Sequence, residues 1–149
     1  MKRNFFAILL IISIITGCDQ SKLSEGANTD WAHYLGSPSS NQYSNLDQIN
    51  KENVEKLKIA WTYDTGDNGH YQVNNLIVDG VLYTTSPLSR LSALNAATGE
   101  LIWTFDPSDV HGPLAELIPR GVMHWKDGDK GRILTMKGSY LYTIDATTG

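Results

Sequence analysis

One cysteine, Cys18, is all that the sequence holds, so an internal disulfide and a cysteine-built zinc site are both excluded. Basic residues are scarce and scattered. The balance of 12 Lys and Arg against 16 Asp and Glu leaves a formal net charge of −4, which is not the footprint of a nucleic-acid binder. Long apolar runs are missing as well. The most apolar stretch, Phe5 to Ile15, is eleven residues broken only by Ser13, where a bilayer span needs about 20.

What the chain does have is repetition. Leu91-Ser92-Ala93-Leu94-Asn95-Ala96-Ala97-Thr98-Gly99 returns as Leu141-Tyr142-Thr143-Ile144-Asp145-Ala146-Thr147-Thr148-Gly149, at an offset of 50. A second offset, of 42, lays Ile59-Ala60-Trp61-Thr62-Tyr63-Asp64 over Leu101-Ile102-Trp103-Thr104-Phe105-Asp106. Units of about 40 to 50 residues made of short strands mark the blades of a β-propeller. The expected fold class is therefore all-β, with about two blades. Since a closed propeller takes at least about four, the chain reads as a fragment of a longer one.

Strand and turn signals fill in the blades. Leu76-Ile77-Val78 and Val81 to Thr85 flank Asp79-Gly80, the pair favoured in a type I′ hairpin turn. Leu91 to Leu94 and Leu101 to Phe105 flank a polar turn that ends in Gly99. These four runs predict one complete blade. Gly121 to Trp125, Arg132 to Met136 and Tyr140 to Ile144 predict the start of the next. Between them lies a Pro-bounded stretch, Asp106 to Pro119, longer than a hairpin needs and of a length that is often functional. Earlier in the chain, Ile59 to Tyr63 predicts a strand and Asn50 to Leu57 one or two helical turns. Trp31 to Asn50 is expected to lie across the outside of the blades with Trp31, Tyr34 and Tyr43 as pegs. Trp61 and Trp103 each fit a structural role, stacked at a blade rim on the small Ala-Thr-Gly turn next door. Such a stack contributes on the order of a few kcal/mol.

The first residues form a separate unit. Met1-Lys2-Arg3-Asn4 is a basic start, the apolar run follows, and Ile15-Thr16-Gly17-Cys18 resembles the bacterial lipobox, in which the cysteine becomes the lipidated first residue. Residues 1–17 thus read as a lipoprotein signal peptide, Cys18 as the lipidation site and 18–30 as a flexible polar tether. Residues 31–149 are the folded part. The expected location is the cell envelope, facing the periplasm and lipid-anchored to a membrane.

The segment Ala93-x-Asn95-Ala96-x-Thr98-Gly99-x-x-x-Trp103 resembles the tryptophan-docking motif of the quinoprotein dehydrogenases that use pyrroloquinoline quinone (PQQ). Trp31-x-x-Tyr34-x-Gly36, Tyr43-Ser44-x-Leu46-x-Gln48-Ile49 and Val54-x-x-Leu57-x-x-Ala60-Trp61 resemble the opening of their mature chains. The resemblance spans residues 31–149 and implies an eight-bladed propeller. It also implies PQQ and calcium near the axis, oxidation of a sugar or alcohol, and a respiratory electron acceptor. PQQ carries three carboxylates, and a planar guanidinium suits them better than an ammonium would. Arg120, in Arg120-Gly121, matches the family's Arg-Gly position that reaches those carboxylates. Gln72 falls where many members carry Glu, and its amide is a candidate donor to the quinone. The catalytic base and the calcium ligands are expected beyond residue 149.

Two departures bear on substrate. Where alcohol-oxidising members often carry adjacent cysteines the chain has Leu114-Ala115, and where glucose-type members often carry His it has Glu116. The competing reading is a non-catalytic propeller lipoprotein that serves as a scaffold in outer-membrane protein assembly. It shares the blade motifs and the anchor, but it lacks the Trp31 to Ile49 opening and has no need of an axial Arg120-Gly121.

Overall fold

The computed structural model describes residues 30–114 and 118–149. The expected signal peptide, Cys18 and nearly all of the expected tether lie outside the described residues, as do Ala115, Glu116 and Leu117. No helix among the described residues is long and apolar enough to cross a membrane.

Among the described residues, seven strands form two antiparallel sheets. The first holds β1 (Leu76–Val78), β2 (Val81–Thr85), β3 (Leu91–Asn95) and β4 (Leu101–Phe105), neighbours in chain order. This is the meander expected of one blade. The second holds β5 (Met123–Asp127), β6 (Lys130–Lys137) and β7 (Tyr140–Asp145), again in order. Local chemistry accounts for the turns. Asp79 and Gly80 both take positive φ, 50° and 76°, which is the type I′ geometry that matches strand twist. In the β3–β4 turn the Asn95 carboxamide oxygen accepts from the backbone of Ala97 and Thr98. Asp145 does the same for Thr147 and Thr148 after β7. The repeat seen in the sequence is therefore a repeat of one turn structure.

The two tryptophans dock as their spacing predicts. The Trp61 indole lies over Gly99, where an added Cβ would sit 2.6 Å from the ring, and its Nε1 donates to the Ala96 carbonyl at 3.2 Å. Trp103 repeats this on Gly149, at 3.0 Å, with Nε1 donating to Ala146 O at 3.2 Å. The Tyr83 hydroxyl donates to that same carbonyl. The Ala146 oxygen thus uses both lone pairs on donors from the first sheet, and Trp103, Tyr83, Ile133 and Ile144 share one buried core between the sheets. Burial pushes the Tyr83 hydroxyl pKa up, with Asp79 and Asp145 adding to it, so the hydroxyl is held as a donor.

Three details differ from expectation. Ile59 to Tyr63 pairs with no strand among the described residues. It is placed instead by side chains, Trp61 on Gly99 and the Tyr63 hydroxyl 3.3 Å from Ser92 Oγ. Trp31 does not lie on the outside of the blades. Its backbone bridges the free edge of β1, exchanging hydrogen bonds with Ile77 at 2.7 and 3.1 Å, because β1 leaves the Ile77 amide and carbonyl unpaired by β2. Tyr34 and Tyr43 are exposed. Asn50 to Leu57 holds one helical turn, of 3-10 type, at Val54–Lys56, as expected. Finally, the long connection holds a short helix, α1 (Pro107–His111), started by Pro107 and capped by the Asp106 carboxylate accepting from Ser108 N at 2.8 Å.

Candidate functional site

The connection after α1 returns to the first sheet at Pro119-Arg120-Gly121. Pro119 is buried, and the Asn74 side chain, just ahead of β1, donates its Nδ2 to the Arg120 carbonyl at 2.9 Å. Gly121 has φ of +132°, and an added Cβ would sit 2.9 Å from Asn74 O. Only glycine lets the two backbones approach this closely. Arg120 is therefore fixed through its main chain, while its side chain is exposed. Its guanidinium makes no ion pair with any described residue, Asp109 included.

Arg120 and Gly121 lie at one end of a groove of about 640 Å³ that continues over Val122 and Leu134 onto Met123, Met136 and Leu141, the exposed apolar face of the second sheet. Among the described residues Arg120 is the one charged side chain in its wall. An anion entering there meets its planar fork of donors and no opposing charge from a described residue, the arrangement that suits a carboxylate. These residues fit the acid groups of PQQ. Gln72 is exposed and lies outside the wall of this groove. No hydrogen bond joins it to Arg120 among the described residues, although Asn74 brings its stretch of chain alongside.

That stretch is anchored on its other side too. Thr84 Oγ1 donates to Asn75 Oδ1 at 2.8 Å and lies 2.8 Å from the Tyr71 hydroxyl. Neither Asn74 nor this pair carried a functional expectation from the sequence, since Asn74 meets Arg120 across 46 residues.

A second polar cluster is structural. Arg90 pairs with Asp67 at 3.2 Å and with Asp106 at 3.4 Å, and donates to Thr65 O. Although burial pushes the Asp106 carboxyl up, hydrogen bonds from Ser108, with help from Arg90 and Lys137, bring it below its usual value. These contacts pin the 59–75 segment to the end of β4. Among the histidines, His111 stacks on Tyr140 at 3.8 Å, with Nδ1 2.9 Å from the Tyr142 hydroxyl. His124 lines a separate crevice of about 260 Å³ between the sheets, beside the Lys126–Asp79 ion pair. Burial lowers its pKa, with Lys126 acting in the same sense. His33 and His70 are exposed. No three His, Cys, Asp or Glu side chains converge as a metal site among the described residues.

Residues 31–149 match the family model for the PQQ glucose/ethanol/alcohol dehydrogenase β-propeller domain. The chain is 43% identical over 127 residues to the dehydrogenase subunit of the quinone alcohol dehydrogenase of Gluconobacter oxydans, covering 80% of this chain and 16% of that protein. It is 30% identical to the quinohemoprotein alcohol dehydrogenase ADH IIB of Pseudomonas putida, over its whole length and 23% of that relative. Among solved structures, the quinohemoprotein alcohol dehydrogenase of Comamonas testosteroni superposes with a TM-score of 0.68 at 32% identity, over 80% of this chain and 18% of that one. The chain thus spans less than a quarter of the length of each of these proteins.

Proposed function

Because the chain belongs to the PQQ-dependent glucose/ethanol/alcohol dehydrogenase family, we propose that it forms part of a dehydrogenase that oxidises a CH–OH group and passes the electrons to a respiratory acceptor. The described residues supply two sheets, and further blades are needed to close a ring around an axial cofactor. An alcohol is favoured over a sugar because the relatives named above are alcohol dehydrogenases. Calcium at the cofactor is part of the same reading, with its ligands on other blades.

The observation that supports the proposal is the Arg120 guanidinium, which pairs with no carboxylate among the described residues, in the wall of the groove. PQQ, when bound, supplies an ortho-quinone that accepts the two electrons of the alcohol. The part of this chain is to hold and orient it. Arg120 takes a carboxylate through charge-assisted hydrogen bonds, Gly121 lets the backbone beside it lie against Asn74, and Gln72 offers an amide donor from the segment ahead of β1. PQQ titration of the full-length protein tests this. Arg120→Ala should weaken binding about ten- to a hundredfold, the size of one lost charge-assisted hydrogen bond. Unchanged affinity removes the assigned role. A wild type that binds no PQQ favours the propeller scaffold of outer-membrane protein assembly.

The envelope location completes the proposal. Cys18 at the end of the apolar leader is the lipid anchor that holds the enzyme at a membrane, facing the periplasm. Mass spectrometry of the membrane fraction should find a diacylglyceryl-modified Cys18 as the first residue, and an unprocessed Met1 terminus would refute it.

A further inference from the structure

We propose that Asn74 is a positioning residue for cofactor binding, a latch that sets where Arg120 leaves the chain and ties it to the segment ahead of β1 that bears Gln72. The inference rests on the reading of Arg120 given above. Three observations lead to it. First, the carboxamide of Asn74 donates to the Arg120 carbonyl at 2.9 Å, and no side chain among the described residues bonds the Arg120 guanidinium. The direction of a side chain with no partner of its own is set by its backbone, and the Arg120 backbone is what Asn74 holds.

Second, the contact is built from both sides. Gly121 places its Cα where a Cβ would stand 2.9 Å from Asn74 O, 3.2 Å from Asn74 Cβ and 3.3 Å from Asn74 N. The Asn74 main chain and the Arg120–Gly121 peptide therefore lie against each other with no room for a side chain between them. The buried Pro119 ring restricts the chain just before Arg120. Rotation about the Arg120 backbone is limited by Pro119 on one side and by the Asn74 bond and Gly121 contact on the other.

Third, Asn74 is itself anchored. Its neighbour Asn75 accepts from Thr84, a buried residue of β2, and Tyr71 meets the same hydroxyl. The segment from Tyr71 to Asn75 is thus fixed to the first sheet at both ends, with Gln72 inside it. Arg120 opens the approach to the second sheet. Asn74 is the hydrogen bond that carries a fixed position from the first sheet to Arg120, so that the Arg120 backbone is held at a constant place relative to the segment that bears Gln72. A preorganised donor loses less freedom on binding than one that must be ordered by the ligand.

The test is a double-mutant cycle in the full-length protein, with PQQ affinity from fluorescence titration and thermal melts on the same samples. Asn74→Ala should weaken PQQ binding about three- to tenfold, the size of one ordinary hydrogen bond. Asn74→Asp should weaken it at least as much, because its carboxylate cannot donate to the Arg120 carbonyl and attracts the guanidinium away from the ligand. In an Arg120→Ala background, Asn74→Ala should cause no further loss. A purely structural Asn74 would instead lower the melting temperature and weaken binding equally in both backgrounds, which would overturn the proposal. So would unchanged affinity of Asn74→Ala and Asn74→Asp. If Arg120→Ala weakens binding while the Asn74 variants do not, the latch falls and the cofactor site stands. If Arg120→Ala has no effect, both fall.

Discussion

Leu91 and Leu141 occupy the same place in the repeat, each in the third strand of its sheet, yet Leu91 is 0% exposed and Leu141 62%. The same holds along the strands. From Leu91 to Leu94 every residue of β3 is buried, whereas in β7 only Tyr142 and Ile144 are. The difference lies in what covers each sheet. The first has the second sheet on one face, through Trp103 and Tyr83, and the 59–75 segment on the other, through Trp61, Tyr63 and Tyr71. The second sheet has the first on one face, while Met123, Met136 and Leu141 on the other remain exposed. Two strands at the same place in the repeat thus read as fully buried and half buried. A blade is a unit whose burial belongs to its neighbours.

Three measurements on the full-length protein press on this comparison. The largest effect is expected from Trp103→Ala, which removes the ring and the hydrogen bond that join the covered faces. Denaturant unfolding should show a loss of about 3–5 kcal/mol, in apo and PQQ-bound protein alike. A loss below about 0.5 kcal/mol, typical of a surface change, would mean that the dock does not hold the sheets together.

Next comes Leu141→Ala. If a further blade covers the second sheet, this change should cost about 2–5 kcal/mol, the range for a core leucine and the same as Leu91→Ala. A surface-sized cost would show that the contrast between the two leucines is a property of the whole protein.

The smallest effect concerns His124 on β5, in the crevice between the sheets. Its pKa in the folded chain lies below the ordinary value of 6.5, through burial first and then Lys126. The unfolded chain therefore takes up a proton that the folded one resists. The resulting stabilisation is complete above pH 6.5 and is lost as the pH falls from there through the folded value. His124→Gln should flatten that part of the profile of Tm against pH. An unchanged slope would show that the crevice leaves His124 as solvated as in the unfolded chain.

Much of the fold was legible because it is local. Asp79-Gly80 specifies its turn through two positive φ angles that few residue pairs accept, and Asn95 and Asp145 close theirs within three residues. The docking of Trp61 and Trp103 was legible too, because the spacing of tryptophan and glycine repeats. Of the candidate site, Arg120 was singled out by the resemblance of Arg120-Gly121 to the family's Arg-Gly position. Asn74 could not be, since an Asn two residues before a strand looks like any polar residue of a loop.

The sequence by itself determined the repeating unit, its hairpins and the side chains that rivet one unit to the next, because each depends on backbone preferences and contacts within a single turn. Tertiary structure alone decided the rest. It gave Leu91 and Leu141 opposite environments, and it set Trp31 along the edge of β1. It also left Ile59 to Tyr63 held by aromatic side chains in place of a strand partner, and it brought Asn74 to the carbonyl of Arg120. Each of these depends on which surface lies opposite, and a residue carries no record of a neighbour met only after the sheets have packed.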